Sequence, residues 1–128
     1  MEQIKEKVNN LGLQECVKLL GFRDDVTALT QAMDVFVMPS LYEGFPVTAV
    51  EAQAAGLPCV FSDTITREVK ILEETKYISL EDNAQKWSNK ILDIVNTVDR
   101  DKCNRLLHEK NYDISDMISR LMILYQLT

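Results

Sequence analysis

Two short, unbroken apolar runs constrain this chain more than any other feature. Val35-Phe36-Val37-Met38 and Cys59-Val60-Phe61 lie far enough apart for one helix to sit between them. A run with no polar alternation is the pattern of a strand buried on both faces, and parallel sheets produce such strands. The connecting stretch, Pro39 to Pro58, reads PSLYEGFPVTAVEAQAAGLP. Pro46 suits the first position of a helix, where its missing N–H would be unpaired anyway. The helix is expected to run through Ala55 with Val47, Val50 and Ala54 on one face, and Gly56 supplies the left-handed turn that stops it.

That stretch also carries the chemistry. Glu43 falls in the loop and Glu51 inside the helix, with the helix start between them. A helix N-terminus gathers unpaired backbone N–H groups and the positive end of the macrodipole, so it favours a phosphate or another anion. Two acids flanking an anion seat suit a ligand with phosphate and hydroxyls, and a nucleotide sugar fits that description.

The flanking sequence extends the pattern. Ile4, Val8 and Leu11 have helical spacing, with Gly12 as a stop. Cys16 to Leu20 reads as a strand closed by Gly21, and Asp24 or Asp25 suits the N-cap of a helix through Ala32. Beyond Phe61 come a polar turn, Ser62-Asp63-Thr64, a short helix over Ile65 to Leu72 and a terminal strand over Tyr77 to Leu80. The remainder reads as helical: Trp87, Ile91, Ile94, Val95 and Val98 mark one amphipathic helix, a shorter one spans Asp101 to Glu109, and Ile114, Met117, Ile118, Leu121, Met122 and Tyr125 mark the last. Alternating strands and helices with short connections predict an α/β fold, a Rossmann-like open parallel sheet flanked by helices. Ligands of such sheets bind outside the carboxyl ends of the strands, where the loop with Ser40 and Glu43 lies.

At 128 residues the chain suits one domain, and no repeat or linker points to a second. A net charge of −6 with scattered Lys and Arg excludes the basic face that a nucleic-acid partner needs. Cys16, Cys59 and Cys103 lack the spacing of a zinc or redox motif, which points to a reducing, cytoplasmic setting and no metal site. His108 has no partners for metal binding or general-base work. No apolar run approaches the roughly 20 residues that span a bilayer, and the polar N-terminus does not read as a signal peptide.

These residues resemble a known family. Leu20-Gly21-Phe22, Asp34 through Ser40, Glu43-Gly44-Phe45-Pro46, Glu51-Ala52 and Gly56-Leu57-Pro58 are similar to the carboxyl-terminal, donor-binding part of family 4 retaining glycosyltransferases of the GT-B fold. Ser62-Asp63-Thr64-Ile65-Thr66 with Glu68 resembles, more loosely, enzymes of bacterial capsule or exopolysaccharide assembly. The resemblance implies that Glu43 contacts hydroxyls of the donor sugar, assisted by Gly44 and Phe45, and positions that sugar rather than acting as a general base. It implies that Glu51 holds the ribose hydroxyls, that backbone around Pro46, Val47 and Thr48 faces the diphosphate, and that Phe22 lies near the nucleobase. Ser40 is weighed equally as a strand terminator and a ligand contact. Transfer with retention and without an obligatory metal or other cofactor is implied, and no residue stands out as a nucleophile.

Family members pair two Rossmann-like domains, so residues 1–128 are expected to form one partial donor domain without the acceptor-binding one. The basic residues that neutralise the leaving diphosphate are missing, since Lys18 and Arg23 do not stand in matching positions. The chain is therefore expected not to transfer sugar alone, and the glycan or lipid-linked acceptor is expected to be bound by the absent domain. The intact enzyme is expected in the cytoplasm, at the inner face of the membrane if its acceptor is a lipid. An exposed part of the Met/Ile stripe in the last helix is expected to promote self-association. A noncatalytic α/β binding module, a GT-B epimerase or phosphorylase, and hydrolysis by the paired acids are the rival readings. The last suits the acids poorly, because they sit in different elements rather than flanking one bond.

Overall fold

A computed structural model describes residues 1–95 and residue 105. The chain forms α1 (Glu2–Asn10), α2 (Val26–Ala32), β1 (Phe36–Met38), α3 (Val47–Ala54), β2 (Cys59–Ser62), a 3-10 turn (Arg67–Val69), β3 (Lys76–Ile78) and α4 (Ala84–Ile94). The strands make one parallel sheet in the order β1-β2-β3. Phe36 pairs with Cys59 and Met38 with Phe61; Phe61 pairs in turn with Tyr77. This is the Rossmann-like open sheet with flanking helices that the apolar runs predict.

Alternation along the strands builds two cores. Phe36, Met38, Cys59, Phe61 and Tyr77 face α3, where Ala49, Ala52, Leu57, Ile65 and Val69 complete one cluster. Val35, Val37, Val60 and Ile78 face the other way and pack with Trp87, Ile91 and Ile94 of α4. The Phe61 ring is the centre of the first cluster: Phe36 and Tyr77 meet it edge-on, at centroid separations of 6.4 and 5.6 Å. Each such pair contributes roughly 0.5–1.5 kcal/mol beyond its buried area. β2, central in the sheet, is wholly buried, whereas β1 has a neighbour on one side only among the described residues and stays half-exposed.

Local signals act as their chemistry suggests. Gly56, at φ +79°, closes α3 in a Schellman turn, its N–H donating to Gln53 O and that of Leu57 to Ala52 O, both at 3.0 Å. Asn83 caps α4 through a 3.0 Å bond from Lys86 N–H.

Five expectations need correction. Cys16 to Leu20 forms no strand, because a strand exists only by pairing and this segment has no ladder partner among the described residues; Val17 N–H instead closes a turn on Leu13 O at 2.8 Å. Asp25 does stand at the N-cap of α2, but both its oxygens accept from Arg23 Nε and Nη2 at 2.6 Å, so the side chain caps nothing. Pro46 is the cap residue of α3 rather than its first helical position, with φ −76° and ψ 96°. The buried face of α3 is Ala49, Ala52 and Gln53, with Val50 at its border and Val47 59% exposed. Gln53 decides that rotation, since its amide finds all its partners in the interior. Ile65 to Leu72 contracts to the 3-10 turn, capped by Thr66 Oγ1 accepting from Glu68 N–H. Of the helix expected over 101–109 only Arg105, which is helical and exposed, is described; the helix expected over 114–125, with Val98, Cys103 and His108, lies outside the described residues.

Candidate functional site

The β1–α3 junction begins with Ser40, held from two directions. Its carbonyl accepts from Ser62 Oγ at 2.6 Å and from Thr64 Oγ1 at 2.8 Å, both at the carboxyl end of β2. Its own hydroxyl donates to Glu43 Oε1 at 2.8 Å. Glu43 is thus half-buried and fixed by a charge-assisted bond rather than free in a loop. Leu41 and Tyr42, between them, are exposed.

Gly44 and Phe45 follow on the surface, and Pro46 turns inward, fully buried. A Cβ built on Gly44 meets nothing within 4 Å, and its φ is not in the left-handed region. Nothing among the described residues therefore requires glycine there. At the start of α3 no side chain caps the helix, because proline has none to offer, and the Val47 and Thr48 N–H groups are too early for an intrahelical acceptor. Both residues are exposed.

Glu51 lies on the exposed side of α3, in a cleft of about 320 Å³ between α3 and α2 that Thr27, Thr30 and Gln31 also line. Glu43 does not line this cleft, so the two acids serve separate places along one helix start. Phe22, in the turn before α2, is 97% exposed and does not line the cleft either. Gly21 at φ +66° makes that turn, and the Arg23–Asp25 pair braces it. The Arg23 guanidinium holds the Asp25 carboxyl below the usual carboxylate range, and Asp25 in turn raises Arg23. With its fork spent on Asp25, Arg23 is not a loose cation for a phosphate.

The residues predicted for the site thus fall in four places: Ser40, Glu43, Gly44 and Phe45 in the loop; Pro46, Val47 and Thr48 at the helix start; Glu51 in the cleft; and Phe22 on its own turn. Sequence reasoning missed Ser62 and Thr64, treated as a polar turn, and gave Gln53 no role. The signal for the first two was present, since hydroxyl residues directly follow a strand with no exposed position.

An open parallel sheet, with an acid-bearing loop at a strand's carboxyl end and an uncapped helix start behind it, defines a Rossmann-like class of α/β protein. Comparison with known families makes this specific: the family model of glycosyl transferases group 1 matches residues 1–97, and the chain belongs to that family. It is 35% identical over 129 aligned positions to EpsF of Bacillus subtilis (strain 168), named provisionally as a glycosyltransferase, covering 98% of this chain and 34% of that protein. Over 54 residues, 42% of this chain and 14% of the relative, it is 46% identical to the UDP-Gal:alpha-D-GlcNAc-diphosphoundecaprenol alpha-1,3-galactosyltransferase of Escherichia coli. Over 47 residues, 37% of this chain and 12% of the relative, it is 51% identical to the N,N'-diacetylbacillosaminyl-diphospho-undecaprenol alpha-1,3-N-acetylgalactosaminyltransferase of Campylobacter jejuni subsp. jejuni serotype O:2. The chain spans about a third or less of these relatives' length.

Proposed function

We propose that this chain is the donor-holding portion of a retaining GT-B hexosyltransferase that builds a bacterial polysaccharide. The observation that carries this reading is the junction after β1, where a fixed carboxylate, a glycine with no role in the fold and an uncapped helix start follow one another. Glu43 orients the hydroxyls of the donor sugar, with Gly44 letting the ligand approach the backbone. The Val47 and Thr48 N–H groups meet the diphosphate and stabilise its charge as it leaves, through preorganised dipoles and without a divalent ion. Glu51 holds the ribose in the α2–α3 cleft, and Phe22 lies toward the base.

In this reading the acceptor is a glycan or a lipid-linked sugar, as the diphosphoundecaprenol acceptors named for two relatives support. Transfer then takes place in the cytoplasm, at the inner face of the membrane for a lipid acceptor. The acceptor is bound by a second domain, and this portion alone turns over no sugar. Titration calorimetry with a panel of nucleoside diphosphates and nucleotide sugars tests the site. Weak binding is expected for this chain, and Glu51→Ala is expected to reduce it about tenfold or more, as loss of charge-assisted bonds to two hydroxyls would. Binding indifferent to Glu51→Ala would remove the ribose assignment.

A further inference from the structure

We propose that Ser62 and Thr64 are positioning residues for Glu43, acting through Ser40, so that the sugar-facing end of the site is built on two adjacent strands. The inference rests on the reading of Glu43 as the donor-sugar contact and adds residues to which that reading gives no role.

Proton bookkeeping among the three hydroxyls makes the case. Ser62 Oγ and Thr64 Oγ1 are 2.6 and 2.8 Å from Ser40 O and 2.9 Å from each other. Each hydroxyl carries one proton, so two protons serve three contacts. Ser62 is fully buried, and its proton must go to an interior acceptor; Ser40 O is its nearest. The Thr64 proton then has Ser40 O and Ser62 Oγ as its protein acceptors. Both choices point it inward and both tie the β2 end to Ser40.

The anchor is long-range, spanning 22 and 24 residues of chain, and it depends on the β1–β2 register that sets Met38 beside Phe61. Ser40 passes it on through its hydroxyl to Glu43 Oε1. A carboxylate three residues into an exposed loop would otherwise sample many rotamers. An oriented group is what contact with particular sugar hydroxyls requires.

Thr64→Val tests this on the chain as it stands, because Thr64 is exposed and the substitution keeps side-chain shape. Two readouts are taken: backbone order parameters at Ser40 and Glu43 from nitrogen-15 relaxation, and the ratio of affinities for a nucleotide sugar and its nucleoside diphosphate. Thr64→Val is expected to lower the order parameters toward the flexible range. It should cut the affinity ratio roughly 2- to 10-fold, the worth of one hydrogen bond, with nucleoside diphosphate affinity unchanged. Thr64→Ser should restore both. Wild-type order parameters in Thr64→Val would overturn the anchor itself. A lowered order parameter with an unchanged ratio would also overturn the proposal, leaving a strut with no part in sugar binding. A wild-type chain with no preference for the sugar-bearing ligand would sink the Glu43 assignment and the inference together.

Discussion

Gln53 is fully buried, yet every polar atom of its amide is used. Nε2 donates to Ala49 O and Val69 O at 2.8 Å, while Oε1 accepts from Ile71 N at 2.8 Å and from Leu72 N and Thr75 Oγ1 at 3.1 Å. Truncation strands several of these partners away from water, each costing about 1–3 kcal/mol. Gln53→Ala should therefore lower unfolding free energy by about 3 kcal/mol or more in denaturant titration. Gln53→Glu should fare no better, because a carboxylate cannot donate to Val69 O and would be buried charged. Gly44 makes the opposite prediction. With open space around its Cβ direction, Gly44→Ala should leave the denaturant midpoint essentially unchanged while weakening nucleotide-sugar binding. A third residue-scale effect is electrostatic. Asp25 has a depressed pKa in the folded chain, so its tie to Arg23 is intact above the ordinary carboxylate range and is lost as pH falls through the lowered value. The Arg23 Nε–H resonance should move with that titration and stay still in Asp25→Asn.

Among the elements, α3 is tied most directly to function. Val47→Pro removes one first-turn N–H at a position where proline is sterically welcome, since Pro46 already has the extended ψ that precedes a proline. Helix content by circular dichroism should be retained while nucleoside diphosphate affinity falls; equal affinity would exclude that N–H from the anion seat. The elements also differ in how firmly they are held. α1 and α2 bury no residue, whereas all of β2 is buried. A nine-residue helix is marginal without tertiary packing. Amides of α1 should thus exchange with solvent roughly two or more orders of magnitude faster than those of Val60 and Phe61.

At the scale of the molecule, the apolar surface is uneven. Val17, Leu19 and Leu20 are exposed beside no strand, and Leu41, Tyr42 and Phe45 are exposed at the carboxyl end of β1. Among the described residues β1 has β2 on one side only. An edge and an apolar surface of this kind favour pairing with another chain. Concentration-dependent larger species are expected in sedimentation velocity, and Leu19→Lys with Leu20→Lys should reduce them. The stripe in the last helix, from which self-association is expected on sequence grounds, lies outside the described residues, so this surface is a separate source.

The sequence by itself determined the parts whose causes are local or periodic. Unbroken apolar runs made β1 and β2 parallel strands and β2 a buried one, Gly56 ended α3, Asn83 began α4, and the order of acids and prolines placed a ligand loop after a strand. It also carried the family. Tertiary structure decided what depends on residues distant in the chain. Cys16 to Leu20 has strand composition but no partner, and pairing, not composition, makes a strand. The buried face of α3 follows Gln53 and its partners up to Thr75, not the bulkier Val47. Glu43 is held by hydroxyls that only the β1–β2 register brings to Ser40. A local pattern cannot contain such contacts, because their geometry exists only once the sheet has formed.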